Sequence, residues 1–290
     1  MKLQPTSEFK GVKFFDDASS CISNYENSHW SNKTFSLAKS FGTFFFHLLN
    51  KMNRSLRSMD PQIDPLTKPS RNLSKKRLVV CIHGLNNTPL QFKKIIDEIQ
   101  KKDLSETDLY LPSVLKKGNA KLDEMVKPIL QEITRWAQTS GEKELVLVGI
   151  SNGARISRAI EAKLAKKTST SNLKKLHLVS IVGACKGSAV AGLANQLGLS
   201  WLMSKNIAEE MPTDSSSNHR LNQKWEKGLS CGPQREYTFI ASPHDWQVSN
   251  YDSTLMNVKK HNARYAIVPG HGHNSIVNAV AESVAEVILK

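Results

Sequence analysis

Three short stretches carry side chains that could act together on a carbonyl carbon. Ser151 stands in Gly149-Ile150-Ser151-Asn152-Gly153, Asp245 in Ser242-Pro243-His244-Asp245, and two histidines in Pro269-Gly270-His271-Gly272-His273. A serine hydroxyl is a weak nucleophile near neutral pH, so an imidazole must take its proton during attack and return it to the leaving group. A carboxylate must then hold that imidazole in one tautomer and offset the positive charge it gains. Ser151, His273 and Asp245 supply these groups, with His271 as the alternative base. Glycines two before and two after the serine suit a turn so tight that a side chain at Gly149 or Gly153 would strike neighbouring backbone. The competing reading is an ordinary strand-to-helix turn with Ser151 as N-cap.

Those groups have to be delivered to one place, and the flanking sequence indicates how. Leu145 to Val148 is a short apolar run ending at Gly149, and the helix after Ser151 is expected to reach about Lys167, with Gly153 and Ala154 close to the sheet. Similar runs lie at 77–82 (RLVVCI), 108–115 (DLYLPSVL), 176–182 (LHLVSIV), 236–241 (EYTFIA) and 264–268 (RYAIV). Helical apolar spacing lies between them: Phe92, Ile95, Ile96 and Ile99; Leu122, Val126, Ile129, Ile133 and Trp136; and Ile276, Val277, Val280, Val284 and Val287. Thr88-Pro89-Leu90-Gln91 has the form of a capping box with proline at the first helical position. Strand and helix alternate from Arg77 to the end, which predicts an α/β fold with a doubly wound, mostly parallel sheet. Strands of a parallel sheet present their carboxyl ends together. Ser151, Asp245 and His273 each follow a strand at that edge.

Attack on a carbonyl also leaves negative charge on its oxygen, which backbone N–H groups must meet. Asn152, at a helix N-terminus, offers one. Leu85, in the loop His83-Gly84-Leu85 after the first strand, offers the other. No metal-ligand spacing accompanies the histidines, and no cofactor is expected.

The rest of the chain reads differently. Residues 1–33 show no clear period. From 34 to 57 Leu37, Phe41, Phe44, Leu48 and Met52 mark one face of an amphipathic helix, followed by a linker with Pro61, Pro65 and Pro69. The expected division is an extension, 1–75, and an α/β domain, 76–290. Within that domain, residues 186–232 form a Gly-, Ser- and Asn-rich insertion that interrupts the alternation. Cys21, Cys81, Cys185 and Cys231 show no C-x-x-C pairing and suit core thiols; Cys185 and Cys231 flank the insertion and could pair in an oxidising compartment.

The 290 residues carry 40 Lys and Arg against 26 Asp and Glu, a net charge of +14. Such a balance favours anionic surfaces. Its lysine pairs are dispersed on helix faces and ends, so nucleic acid is not an expected partner. No apolar run is long enough to span a membrane and no secretory h-region opens the sequence, so a cytoplasmic protein is expected. The segment 34–57 most simply packs on its own domain; lying on a membrane surface, as peripheral association, is the alternative.

Residues 77–290 resemble the α/β-hydrolase superfamily, most closely its lipase and esterase branch. LVVCIHGLN resembles the family's strand and oxyanion loop, LVLVGISNGA its nucleophile strand, and VGACKGSAVAGLANQL the segment that opens a lid. The resemblance implies the chain order Ser, Asp, His for the triad and a structural rather than basic role for His83. It also implies a mobile helical lid at 186–232 over an acyl pocket, and a small-molecule acyl ester or lipid as substrate. Asn152 stands where many lipases have His, a change the chemistry tolerates because the backbone N–H is what counts. The favoured base is His273, the position after G-x-G. A thioesterase or acyltransferase would use the same triad; a non-catalytic lipid-binding or interaction module is the alternative from another class.

Overall fold

The computed structural model describes residues 5–28, 74–102, 104–165, 170–198, 201, 203–230, 232–248, 250–258 and 262–290. The expected amphipathic helix at 34–57, the prolines of the linker and Cys231 lie outside the described residues.

The six apolar runs give strands β3 (Arg77–Ile82), β4 (Thr107–Tyr110), β5 (Lys143–Ile150), β6 (Leu173–Ile181), β7 (Gln234–Ala241) and β8 (Asn262–Ile267), the run at 108–115 being a strand only as far as Tyr110 before it turns at Leu115–Gly118. They pair in the order β4-β3-β5-β6-β7-β8, every neighbour parallel. Branched and apolar residues run continuously because both faces of the sheet are covered. Leu78, Val80, Ile82, Leu145 and Leu147 face one core with Val126, Ile129, Ile133, Ile156 and Ile160. Val79, Cys81, Val146 and Val148 face the other with Ile95, Ile99, Ile276, Val280 and Val284. The apolar stripes of the sequence thus become the inner faces of helices Lys93–Gln100, Leu122–Ala137, Asn152–Leu164, Ser275–Ala279 and Ala281–Leu289. No described helix is long and apolar enough to cross a membrane.

Residues 5–28, left without assigned structure by the sequence, belong to this domain. Strands β1 (Ser7–Phe9) and β2 (Val12–Phe14) form a hairpin, and helix α1 spans Ala18–Ser28. Phe15 N donates to Tyr265 O (2.9 Å) and Tyr265 N to Phe15 O (2.8 Å), pairing the segment with edge strand β8. Phe9, Val12 and Phe14 enter one core and Phe15, Ala18 and Cys21 the other. The boundary expected at residue 75 therefore does not set residues 5–28 apart. Three-residue strands in a polar context are too short to show a period.

The insertion is also smaller than expected. Helix Ser216–Gly228 is the crossover helix between β6 and β7 and packs on the helix that follows Ser151. That helix of the sheet layer carries buried polar groups in place of an apolar stripe. Arg155 Nε donates to Asn218 Oδ1 (2.7 Å), and Glu161 accepts from Trp225 Nε1 (2.7 Å), Arg235 Nε (2.9 Å) and Tyr237 OH (2.6 Å). With only Leu221 and Trp225 as its buried apolar anchors, the segment looks like a loop in sequence. Between β6 and that helix the described residues include two short helices, Ala189–Gln196 and Lys205–Glu210.

His177 on β6 is buried, with Nε2 2.9 Å from Thr238 Oγ1. Burial, reinforced by Arg264, Arg77 and Lys175, pushes its pKa down from 6.5 to about 3. Between those values the unfolded chain binds the extra proton and the folded chain does not. Stability is therefore full above about 6.5 and falls as the pH drops through that window. A His177→Asn variant should lose about 2 kcal/mol less than the parent between about pH 7 and about pH 5. Denaturant midpoints against pH would read this; parallel curves would refute it.

Candidate active site

Ser151 sits at the end of β5 with φ 55° and ψ −122°, a conformation most side chains avoid. Such strain costs about 1–3 kcal/mol and persists only where its surroundings impose it. Here they do so through hydrogen bonds from Ser151 N to Ile181 O (3.1 Å) and from Ala184 N to Ser151 O (3.0 Å). The two glycines have the expected cause. A Cβ on Gly149 would lie 2.4 Å from Ala154 Cα, and one on Gly153 would lie 1.9 Å from Ile82 O. The Ser151 side chain caps nothing at the helix start, so the N-cap reading fails.

Asp245 and His273 arrive on the loops after β7 and β8. His273 Nδ1 lies 2.8 Å from Asp245 Oδ2, with both residues buried. Since a carboxylate only accepts, Nδ1 carries a proton, which leaves Nε2 as the lone-pair nitrogen of the neutral tautomer. The other oxygen, Oδ1, accepts from Gln247 N (2.8 Å) and Val248 N (3.1 Å), which fixes the carboxylate plane. His271 does not share this place. It is half-buried, and its carbonyl accepts from Ser242 Oγ. Ser242 Oγ in turn accepts from His244 N (3.1 Å), and His244 Nδ1 accepts from Gly270 N (3.1 Å), so the two loops are clamped together. Asp252 is at the surface, paired with Lys186 (2.9 Å). Among the described residues no hydrogen bond joins Ser151 Oγ to His273.

The loop after β3 is built around His83. Val114 N donates to His83 Nε2 (3.0 Å), so the ring proton is on Nδ1, which donates to Gly84 O (2.9 Å). Burial holds the His83 pKa below its usual value, with a further push from Lys117 against a pull from the Gly84 bond. A neutral ring making both contacts is a structural brace. Gly84 N donates to Gln91 Oε1 (3.0 Å), and a Cβ on Gly84 would lie 3.1 Å from Ser151 Cβ. Thr88 makes no side-chain cap, which corrects the capping-box expectation: the Gln91 side chain holds the loop instead. The backbone N–H groups of Leu85 and Asn152 donate to no acceptor among the described residues. Asn152 Nδ2 donates to Gly118 O (3.2 Å), which ties in the loop after β4, strained at Lys116 and Lys117 (φ 50° and 53°).

Val114, Gly118, Ser242 and His244 have no role that the sequence assigns, and Gln91, expected in a capping box, holds the loop after β3 instead. Backbone donors and polar clamps carry no residue-type signature, and only the motif-like position of His244 beside Asp245 offered a signal. Above the edge lies a small apolar cluster separate from the two main cores: Ala184, Ala191, Ile207, Met211 and Val248, with Leu85 and Met203 against it. Among the described residues no group of His, Cys, Asp and Glu is placed to hold a metal ion.

No protein-family model matches the sequence, and no curated protein matches it. Solved structures do. The ferulic acid complex of Est1E from Butyrivibrio proteoclasticus aligns over 76% of this chain and 91% of that one, with 16% identity and a TM-score of 0.51. A structure from work on LipS and LipT, two metagenome-derived lipolytic enzymes, aligns over 79% of this chain and 98% of that one, with 11% identity and a TM-score of 0.52. At these identities the likeness establishes the fold, that of the α/β hydrolases.

Proposed function

We propose that the chain is a serine hydrolase of carboxylic esters, acting on apolar acyl or lipid esters through an acyl-enzyme on Ser151. The observation that most supports this is a serine held at positive φ on a strand-to-helix turn, at the same sheet edge as a buried His–Asp pair. In this reading Ser151 Oγ attacks the carbonyl carbon while its proton passes to His273 Nε2. The imidazolium that forms is offset by Asp245. The Leu85 and Asn152 N–H groups donate to the oxyanion, each contributing about 3–4 kcal/mol in the transition state. Collapse breaks the ester C–O bond, and the leaving alcohol takes the proton from Nε2. Water then repeats the sequence with the same base and releases the carboxylic acid. The apolar cluster of Ile207, Met211 and Val248 with Leu85 favours an apolar acyl group, and helices Ala189–Gln196 and Lys205–Glu210 serve as its lid.

The test is covalent. A fluorophosphonate should label the native protein, with the adduct mapped by mass spectrometry to Ser151 and absent after denaturation. The same preparation should hydrolyse a short p-nitrophenyl acyl ester. Labelling elsewhere, or none, would overturn the reading; a panel of acyl thioesters and alcohol acceptors would separate hydrolase from thioesterase and acyltransferase.

A further inference from the structure

The large hydrophobic side chains exposed among the described residues are Leu90 (56%), Leu115 (45%), Leu197 (56%) and Trp201 (69%). Single exposed leucines are ordinary on a protein surface. Their distribution here is not, because each lies on a connection leaving the carboxyl end of a strand: Leu90 after β3, Leu115 after β4, Leu197 and Trp201 after β6. The three connections are stitched together. Asn86 N donates to Lys117 O (2.7 Å), Ser204 Oγ to Asn119 Oδ1 (3.1 Å) and Asn206 Nδ2 to Asn119 O (2.9 Å). They also frame Ser151, through Gly84 on one side and Ala184 on the other.

The charge of this rim is complementary to one kind of surface. Residues 83–92, 111–121 and 186–215 contain five lysines, Lys116, Lys117, Lys121, Lys186 and Lys205, against three carboxylates, Glu209, Glu210 and Asp214; Lys186 is paired with Asp252 (2.9 Å) and Lys205 with Glu209 (3.9 Å), so the positive charge of the rim rests on Lys116, Lys117 and Lys121. Glu210 is turned toward Arg155 (3.6 Å) and Leu122 N (2.9 Å). Lys116 and Lys117 directly follow Leu115, so apolar and cationic groups stand side by side there.

We propose that this edge docks on an anionic lipid surface. Leu90, Leu115, Leu197 and Trp201 enter the boundary between headgroups and acyl chains, where an indole and leucines gain most from leaving water. Lys116, Lys117 and Lys121 meet the lipid phosphates, and the two contributions together give reversible binding. Docking rests on the composition of the edge; only its consequence, delivery of a lipid ester to Ser151, rests on the proposed hydrolase activity.

The experiment uses the full chain carrying Ser151→Ala, so that no turnover alters the lipid. It should co-float with phosphatidylcholine vesicles containing roughly a third phosphatidylglycerol, less with added salt and less with pure phosphatidylcholine. Adding Leu90→Ser, Leu115→Ser, Leu197→Ser and Trp201→Ser should lower co-flotation at least about tenfold with an unchanged thermal melt. If that variant melts early, Lys116→Glu with Lys117→Glu carries the test with the same expected loss. Undiminished flotation of a folded variant, by residues 34–57 or any other route, would overturn the proposal, as would failure of the parent to float. Because binding is measured without turnover, neither result bears on the labelling of Ser151.

Discussion

Ser151→Ala is expected to lower kcat for a short acyl ester by about 10⁶, leaving only the rate supplied by binding and the oxyanion donors. In the proposed mechanism, removing Oγ takes away the atom that forms the acyl bond. The substitution should spare the fold. Alanine keeps the Cβ, so the strain at φ 55° is unchanged, and Ser151 Oγ caps no helix whose stability would suffer. The measurement is kcat beside a thermal melt. A melt within about 0.5 kcal/mol of the parent with activity gone places the loss in chemistry. Activity retained within about a hundredfold would sink the acyl-enzyme reading.

Asp245→Asn should cost about 10⁴ in kcat, and the reason lies in the two N–H groups on the far oxygen. Gln247 N and Val248 N both donate to Oδ1, so an amide at this position must keep its oxygen there. Its NH2 group then faces His273 Nδ1, which has to accept. The ring proton moves to Nε2, and the lone pair that would take the Ser151 proton is gone. Both turn hydrogen bonds survive, so stability should change far less than activity. Asp252→Asn is the control, since that carboxylate stands at the surface against Lys186 and should leave kcat unchanged. A loss below about tenfold for Asp245→Asn would show that His273 does not depend on this carboxylate.

The turn at Ser151 and the His273–Asp245 contact belong to different levels of the molecule. The turn at Ser151 was legible because its requirements are local: the positions where a Cβ would strike Ala154 or Ile82 are two residues either side of the serine. The strand runs were legible for a similar reason, since a strand buried on both faces has to be apolar along its length. The crossover helix 216–228 was not, because it is held by buried Arg155, Asn218 and Glu161, whose pairing partners lie on other elements. The segment 5–28, a hairpin followed by a helix, was hidden because its apolar residues divide between two cores on opposite faces of the sheet.

The choice between His271 and His273 shows where the sequence stops. Both follow β8, two residues apart, and both follow a glycine. By itself the sequence determined that a serine, a carboxylate and an imidazole would come to one sheet edge, since strand direction sends every loop after a parallel strand to that side. The tertiary structure decided which imidazole meets Asp245. The Ser242 and His244 clamp takes the backbone of His271 and Gly270, so His273 is the ring that turns inward to a 2.8 Å contact with Oδ2. A hydrogen bond of that kind depends on the path of two loops 28 residues apart, and spacing along the chain does not encode it.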